Sequence, residues 1–281
     1  MVRSRVTEIA ILSDQSRYSN KNTFMTAAMS ASLLALQTID KIYPNGTVAL
    51  QGVDLTVGAG EFISLVGPSG CGKSTVLKLV AGLGTPTDGA IHWQCPPEQH
   101  NLAFVFQDPA LMPWASVVDN IHLPLKLKGQ SLRSVRAKIQ AAINTVDLCG
   151  CENSYPRQLS GGMKMRVSIA RALVTKPHIL LMDEPFGALD EMTRSRLNSD
   201  LLHLWEEKHW TVLFVTHNIY EAVYLSTRVI VMAARPGRVV ADIPIEATYP
   251  RTEAFRTSSH FNHYCREIMA ALSVAESIGV G

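Results

Sequence analysis

From residue 34 the apolar positions first alternate and then gather into short continuous runs. Residues 34–43 and 48–57 alternate as strands do, and Pro44-Asn45-Gly46 between them is a turn signal. Residues 62–66 form a short apolar run, followed by a Gly-rich loop and a helical stretch over 75–83, which makes a strand–loop–helix unit. A similar run at 103–106 is stopped by Gln107-Asp108-Pro109. The chain is then helical in character to about residue 175, with 132–146 and 163–174 the most periodic segments. Buried-type strands at 178–182 and 211–215 bracket a helix over about 191–208. Short apolar strands alternating with helices predict an α/β fold whose parallel sheet is covered on both faces. Residues 228–232 and 238–243 flank Arg235-Pro236-Gly237. Proline followed by glycine suits the central positions of a type II turn, so a hairpin is predicted there. In the tail, Phe261, Tyr264, Cys265, Ile268 and Leu272 recur at helical spacing.

Charge changes the picture mainly by exclusion. The 26 Lys and Arg nearly balance the 24 Asp and Glu, for a net charge of +2. Arg3, Arg5, Arg17 and Lys21, set against Glu8 and Asp14, already account for +2 before residue 32. The rest of the chain is neutral, which removes most of the support for a basic nucleic-acid-binding surface. Charged residues make up 18% of the chain, below the roughly 25% usual for soluble domains, as expected if partners cover part of the surface. Five cysteines without framework spacing (Cys71, Cys95, Cys149, Cys151 and Cys265) suit a reducing compartment rather than a disulfide scaffold. Cys149-x-Cys151 lacks histidines at ligand spacing, and His260, His263 and Cys265 read as positions on a half-solvated helix.

Residues 1–31 show no sustained period and read as a flexible leader. Basic residues ahead of 25–36 also suit a signal peptide, whereas Leu34, Leu36 and Thr38 alternate like a first strand. Met25 and Met29 are alternative translation starts. The uncharged stretch 22–39 carries Asn22, Thr23, Thr26, Ser30, Ser32, Gln37 and Thr38 and is too polar to span a membrane.

The Gly-rich loop carries chemistry. Gly67-Pro68-Ser69-Gly70-Cys71-Gly72-Lys73-Ser74 fits G-x-x-x-x-G-K-[ST] and runs into Thr75 at the start of the predicted helix. Its glycines allow a tight loop whose backbone N–H groups turn toward phosphate oxygens. Lys73 supplies a charge for the β- and γ-phosphates, and Ser74 a hydroxyl for Mg²⁺. The following helix aims its positive end at the same anion, so the loop points to a nucleoside triphosphate as ligand. A second Mg²⁺ ligand belongs at the end of a neighbouring buried strand, where Asp183 follows an apolar run. Glu184 is next and suits a general base for the attacking water. The Cys71 thiol is read as lying inside the phosphate loop, so its alkylation should block ATP binding and ATP should protect it.

Further features stand in order around these. Leu159-Ser160-Gly161-Gly162 opens a helix, Gln107 ends one strand, Ala188-Leu189-Asp190 follows the paired acids, and His217 ends another strand. With them the chain resembles the ATP-binding subunit of ABC transporters over about residues 34–250. The resemblance implies a P-loop NTPase core with an antiparallel β subdomain and an inserted α-helical subdomain at about 108–175. The ATPase domain would span 32–250, with a helical tail over 251–281. It implies that Tyr43 stacks on adenine and that Gln107 senses Mg²⁺ and the lytic water. Ser160 and Gly162 would contact the γ-phosphate bound to the opposite subunit, Asp190 would link the two sites across the dimer, and His217 would touch the γ-phosphate. Each chain would then hold half of each site, in a homodimer or a heterodimer with a related ATPase.

Met163 and Met165 stand where relatives often have Gln, and Gly187 where Ser is common; all three lie off the expected phosphate contacts. Lys73 and Asp183 are too close in sequence for the insertions of DNA-repair relatives, and the separate ATPase looks like that of a binding-protein-dependent importer. Residues 106–114, 186–194 and 232–238 resemble the nitrate, sulfonate and taurine branch, which also includes importers of pyrimidine vitamin precursors. This implies two transmembrane permease subunits, an indirect link to a solute-binding protein, and a place on the cytoplasmic face of the bacterial inner membrane. Leu111, Met112, Pro113 and Trp114 would either receive a permease helix or pack within the subdomain. A soluble ABC ATPase acting on nucleic acid or ribosomes is the alternative, and a P-loop small-molecule kinase would leave Ser160-Gly161-Gly162 and His217 without a role.

Overall fold

The protein is described by a computed structural model over residues 32–94, 101–187 and 189–278. The leader, the candidate starts Met25 and Met29, Cys95 and Ala188 lie outside the described residues.

Two sheets pack on either side of one of the two apolar clusters. Strand β1 (Leu34–Ile42) pairs antiparallel with β2 (Val48–Val57) and with β4 (Asp88–Trp93), giving a three-stranded sheet in the order β2-β1-β4. The larger sheet contains β3 (Phe62–Val66), β5 (Leu102–Val105), β6 (Ile179–Asp183), β7 (Thr211–Val215), β8 (Arg228–Ala233) and β9 (Arg238–Pro244). Its order is β5-β6-β7-β3-β8-β9, parallel throughout except for the antiparallel edge strand β9. Continuous apolar runs make sense here because successive side chains enter different cores. Phe62 and Val66, Leu180 and Met182, and Val212 and Phe214 face one cluster. Ile63 and Leu65, Ile179 and Leu181, and Leu213 and Val215 face the other.

Helix α1 (Lys73–Val80) and the antiparallel sheet cover the second cluster. The first is covered by α2 (Val117–Leu127), α3 (Leu132–Thr145), α4 (Gly161–Leu173), α5 (Glu191–Lys208) and α6 (Ile219–Leu225), and by the tail helix α8 (Ser259–Ile278), which follows the short α7 (Glu253–Arg256). Hydroxyl or carboxylate caps start most of them: Ser116, Ser131, Ser160 and Asp190 each accept from a backbone N–H three residues on.

The predicted hairpin is present, but its turn is not type II. The Arg235–Pro236 peptide is cis, and Arg235 rather than Gly237 takes a positive φ, 59°. Gly237 is needed for close approach instead. A Cβ there would lie 2.4 Å from the Cys71 carbonyl oxygen and 2.6 Å from that of Ala49. Strand β4 was not anticipated; its sequence DGAIHW is mostly exposed and has little apolar alternation.

Candidate active site

Four segments of chemical interest leave the carboxyl ends of four adjacent strands, where open α/β sheets bind ligands. In sheet order these are Gln107 after β5, Asp183 and Glu184 at the end of β6, Thr216 and His217 after β7, and the phosphate loop after β3. Residues scattered over more than a hundred positions thus converge because their strands are neighbours.

The phosphate loop closes on itself. Lys73 is buried, and its ammonium donates to the carbonyls of Gly67 (2.8 Å) and Pro68 (3.1 Å). Gly72 stands at φ 89° just before α1, and a side chain there would meet Leu50 at 2.5 Å. The helix begins at Lys73, two residues before its sequence-predicted start, so Ser74 and Thr75 lie in its first turn. The Ser74 hydroxyl donates to Asp183 Oδ1 at 2.8 Å, which joins the loop to the end of β6. Burial pushes the Asp183 carboxyl above the ordinary aspartate range; the Ser74 hydrogen bond opposes this, and the adjacent Glu184 charge adds to it. The Tyr43 hydroxyl lies 3.2 Å from that of Thr75, with its ring half exposed beside the loop.

The Cys71 thiol lies inside the loop, where Lys73 Nζ donates to its Sγ at 3.7 Å and a Cβ on Gly67 would come within 2.7 Å of it. Its side chain is fully buried in the second apolar cluster, and desolvation raises its thiol pKa, outweighing the charge of nearby Lys73. The thiol is therefore enclosed between the loop and the core and shielded from solvent.

Glu184 is the meeting point of the other strand ends. Gln107 Nε2 donates to Glu184 Oε2 at 3.3 Å, and His217 Nδ1 lies 3.3 Å from the same oxygen. Glu184 itself adopts φ 45°, a left-handed conformation that turns its side chain out of strand register. Gln107 is followed by a loop pinned from α4: Arg171 donates to the Pro109 carbonyl (2.6 Å) and the Ala110 carbonyl (2.9 Å). The buried Asn120 binds backbone groups of Met112, Ala115 and Ser116, which fixes the next turn. In that turn Trp114 is 77% exposed, while Leu111 is packed against the core.

The second glycine motif forms a separate face. Leu159 is buried, and Ser160 caps α4 by accepting from Met163 N–H at 3.3 Å. A Cβ on Gly162 would lie 2.8 Å from Thr193, and one on Gly161 would lie 3.8 Å from Leu189. This helix start therefore packs beside Asp190, whose carboxylate accepts from Thr193 N–H at 3.0 Å; that bond lowers its pKa. Met165 is buried and Met163 is half-buried against the first cluster. Among the described residues no three His, Cys, Asp or Glu side chains are grouped to hold a metal. Ser74 and Asp183, with Gln107 at the end of the next strand, suit Mg²⁺, which takes few protein oxygens and fills the remaining positions with phosphate and water.

Gly237, Arg171 and Asn120 were not singled out from the sequence. Pro-Gly marked Gly237 as a turn residue, but its contact with the phosphate loop joins segments more than 160 positions apart. Asn120 gave only a weak signal, a polar residue on the apolar side of a helix.

A phosphate loop, paired acids on the neighbouring strand and a capped second glycine helix together define an ATPase of the ATP-binding cassette class. Residues 50–187 match the family described as ABC transporter. The aliphatic sulfonates import ATP-binding protein SsuB of Bacillus licheniformis is 43% identical over 250 residues, covering 87% of this chain and 96% of that protein. SsuB of Bacillus subtilis is 42% identical over 234 residues, 82% and 89% of the two chains. A putative ATP-binding protein of Brucella abortus is 46% identical over 219 residues, 77% and 84%. Among solved structures, the MJ0796 cassette bound to ADP and Pi, a dimer in a post-hydrolysis state, is 33% identical, covering 76% of this chain and all of that one (TM-score 0.68). The structure of cbiO1 from Clostridium perfringens, part of the transporter complex cbiONQ, is 25% identical over 87% and 98% of the two chains (TM-score 0.70). This chain belongs to the ABC transporter family, in which it is an ATP-hydrolysing, energy-coupling subunit of the importer type. Among the described residues no helix is long and apolar enough to cross a membrane.

Proposed function

We propose that this protein powers uptake of aliphatic sulfonates by hydrolysing ATP, as one of two identical subunits docked on a pair of transmembrane permeases at the inner face of a bacterial membrane. The solute rests on the names of the sulfonate-import relatives; nitrate and pyrimidine precursors are the other solutes of the branch. The chain reads no solute itself, because specificity in such systems lies in the permease and the solute-binding protein. A related dimeric cassette supports the pairing of two subunits. In this reading residues 32–250 form the ATPase domain, about 108–175 its helical subdomain, and 251–281 a tail.

The observation that carries the ATPase mechanism is the convergence of Gln107 and His217 on one oxygen of Glu184. Glu184 orients and deprotonates the attacking water, while Gln107 and His217 hold its carboxylate and face the γ-phosphate. Lys73 exchanges its loop carbonyls for phosphate oxygens when ATP binds, and the N–H groups of the loop from Gly67 to Thr75, all but that of Pro68, which has none, complete the cradle. Ser74 and Asp183, with Gln107 nearby, would hold Mg²⁺, which neutralises charge on the β- and γ-phosphates. Tyr43 lies beside the cradle, where an adenine can stack. Leu159, Ser160, Gly161 and Gly162 serve the ATP of the opposite subunit, and Asp190 beside them couples the two sites.

The test is a pull-down of tagged Glu184→Gln protein with MgATP from detergent-solubilised membranes of the native host, combined with ethanesulfonate uptake by cells lacking the gene. The expected outcome is recovery of a polytopic permease and loss of uptake. Recovery of ribosomal or nucleic-acid-binding proteins without a permease would overturn the transport reading, and unaltered sulfonate uptake would overturn the solute.

A further inference from the structure

One charged cluster has no part in the mechanism above, although it lies directly beneath it. Glu221, in α6, is 5% exposed, and Asn198, in α5, is 4% exposed. Arg194, also in α5, reaches Glu221 with Nε 3.6 Å from Oε1. The same guanidinium donates to the Leu189 carbonyl at 2.9 Å and the Phe186 carbonyl at 3.4 Å, so it holds the turn that leaves Glu184. On its other side Glu221 accepts the Thr216 hydroxyl, and the Thr216 oxygen in turn accepts the Asn218 N–H at 3.0 Å. Thr216 and Asn218 flank His217. The cluster therefore grips both turns whose side chains meet at the 3.3 Å contact between Glu184 and His217.

Packing alone does not account for this choice of residues. A buried ion pair is often no more stabilising than an apolar pair of the same volume, because both ions lose water. Burial indeed pushes the Glu221 carboxyl above the ordinary glutamate range, against the pull of Thr216 and Arg194. What charged groups supply here, and apolar ones would not, is directional hold on main-chain and hydroxyl oxygens of two separate turns.

We propose that Arg194 and Glu221 are positioning residues for hydrolysis: they form a strut between the turn after Glu184 and the turn bearing His217, and so fix the separation of those two side chains. The inference rests on the reading in which Glu184 and His217 act at the γ-phosphate. The strut touches neither the phosphate loop nor the Tyr43 side, so ATP binding and chemistry should separate.

The experiment uses the full chain and compares Arg194→Ala, Arg194→Lys, Glu221→Gln and the Arg194→Ala/Glu221→Gln double variant. Steady-state ATPase gives kcat and KM, a fluorescent ATP analogue gives Kd, and thermal melts report folding. Geometric slippage of about 1 Å at a reacting group costs up to a hundredfold in rate. The expected result is a kcat at least tenfold lower in each alanine or glutamine variant, with Kd and KM within about twofold of wild type. Arg194→Lys should recover part of the loss, and the double variant should be no slower than the worse single one. Glu221→Gln keeps the Thr216 acceptor and the side-chain volume, so it remains informative if Arg194→Ala does not fold. Equal losses in kcat and affinity, or additive losses in the double variant, would reduce the cluster to general stability and overturn the proposal. Wild-type kcat in folded variants would also overturn it. Glu184→Gln in the same assay keeps the two levels apart. Turnover by that variant defeats the underlying reading, whereas its inactivity beside fully active Arg194 and Glu221 variants defeats only the strut.

Discussion

Replacing Gly237 with alanine should weaken ATP binding although the residue never touches the nucleotide. The added Cβ would sit 2.4 Å from the Cys71 carbonyl oxygen, 2.6 Å from that of Ala49 and 3.0 Å from Leu50 Cδ2. Carbon–oxygen contacts of this kind settle at about 3.3 Å or more, so the two carbonyls must recede by roughly 0.9 and 0.7 Å. Both obstacles are backbone, and no rotamer change relieves them. The hairpin cannot simply retreat, because Gly237 N–H donates to Ala49 at 3.2 Å and its carbonyl accepts from Gln51 at 2.9 Å. The phosphate loop must therefore move. A shift of that size exceeds the roughly 0.5 Å width of the N–H···O distance range, which is enough to break one charge-assisted bond to phosphate. Such a bond is worth about 1.5–3 kcal/mol, or roughly tenfold to a hundredfold in Kd. Titration with MgATP by calorimetry, together with a thermal melt, measures it. Gly84→Ala is the control, since its Cβ would meet only Leu79 at an ordinary 3.7 Å. A folded Gly237→Ala protein with the Kd of wild type would refute the reasoning.

Other outcomes follow from the same geometry. Lys73→Ala should raise the Kd for MgATP at least about tenfold, because one charge-assisted phosphate contact is lost; unchanged affinity would place the lysine outside the cradle. Iodoacetamide at neutral pH should modify exposed Cys149 in the native protein and spare Cys71 and Cys265, whose thiols burial raises, the latter to about 11. Peptide mass spectrometry showing Cys71 alkylated as fast as Cys149 would turn its thiol outward again. Burial raises the Glu221 pKa in the folded state above its unfolded value, so at low pH both states hold the proton and the site costs nothing. The cost appears as pH rises through the folded value. The stability difference between Glu221→Gln and wild type should therefore shift in the variant's favour from about pH 4 to about pH 8. A difference that is flat with pH, read by chemical denaturation, would remove that burial effect.

Much of this arrangement could be read along the chain because its decisive signals are local. Strand β7 falls where its apolar run placed it, and helix α5 fills the stretch between the two buried strands where a helix was expected. The phosphate loop is legible because Gly, Lys and Ser must stand at fixed offsets to surround an anion. What escaped depends on contacts between distant segments. Strand β4 is held by pairing with β1 rather than by its own pattern, since most of its side chains are exposed. Cys71 lies inside the loop as its position suggests, yet its complete burial against the core depends on strands far along the chain. Arg194 and Glu221 are ordinary charged helix residues in sequence; only folding brings them together beneath the two turns. Gly237 was read for its turn, whereas its use lies in what it lets approach.

The most direct test of the central claim, that each chain supplies half of two ATP sites and hydrolyses through Glu184, is the mass of Glu184→Gln protein in solution by light scattering, with and without MgATP. The variant should be monomeric without nucleotide. With MgATP it should run as a dimer holding two unhydrolysed ATP molecules, while wild type returns to monomer as ATP is consumed. A variant that stays monomeric with ATP bound, or that hydrolyses ATP at the wild-type rate, would contradict the account.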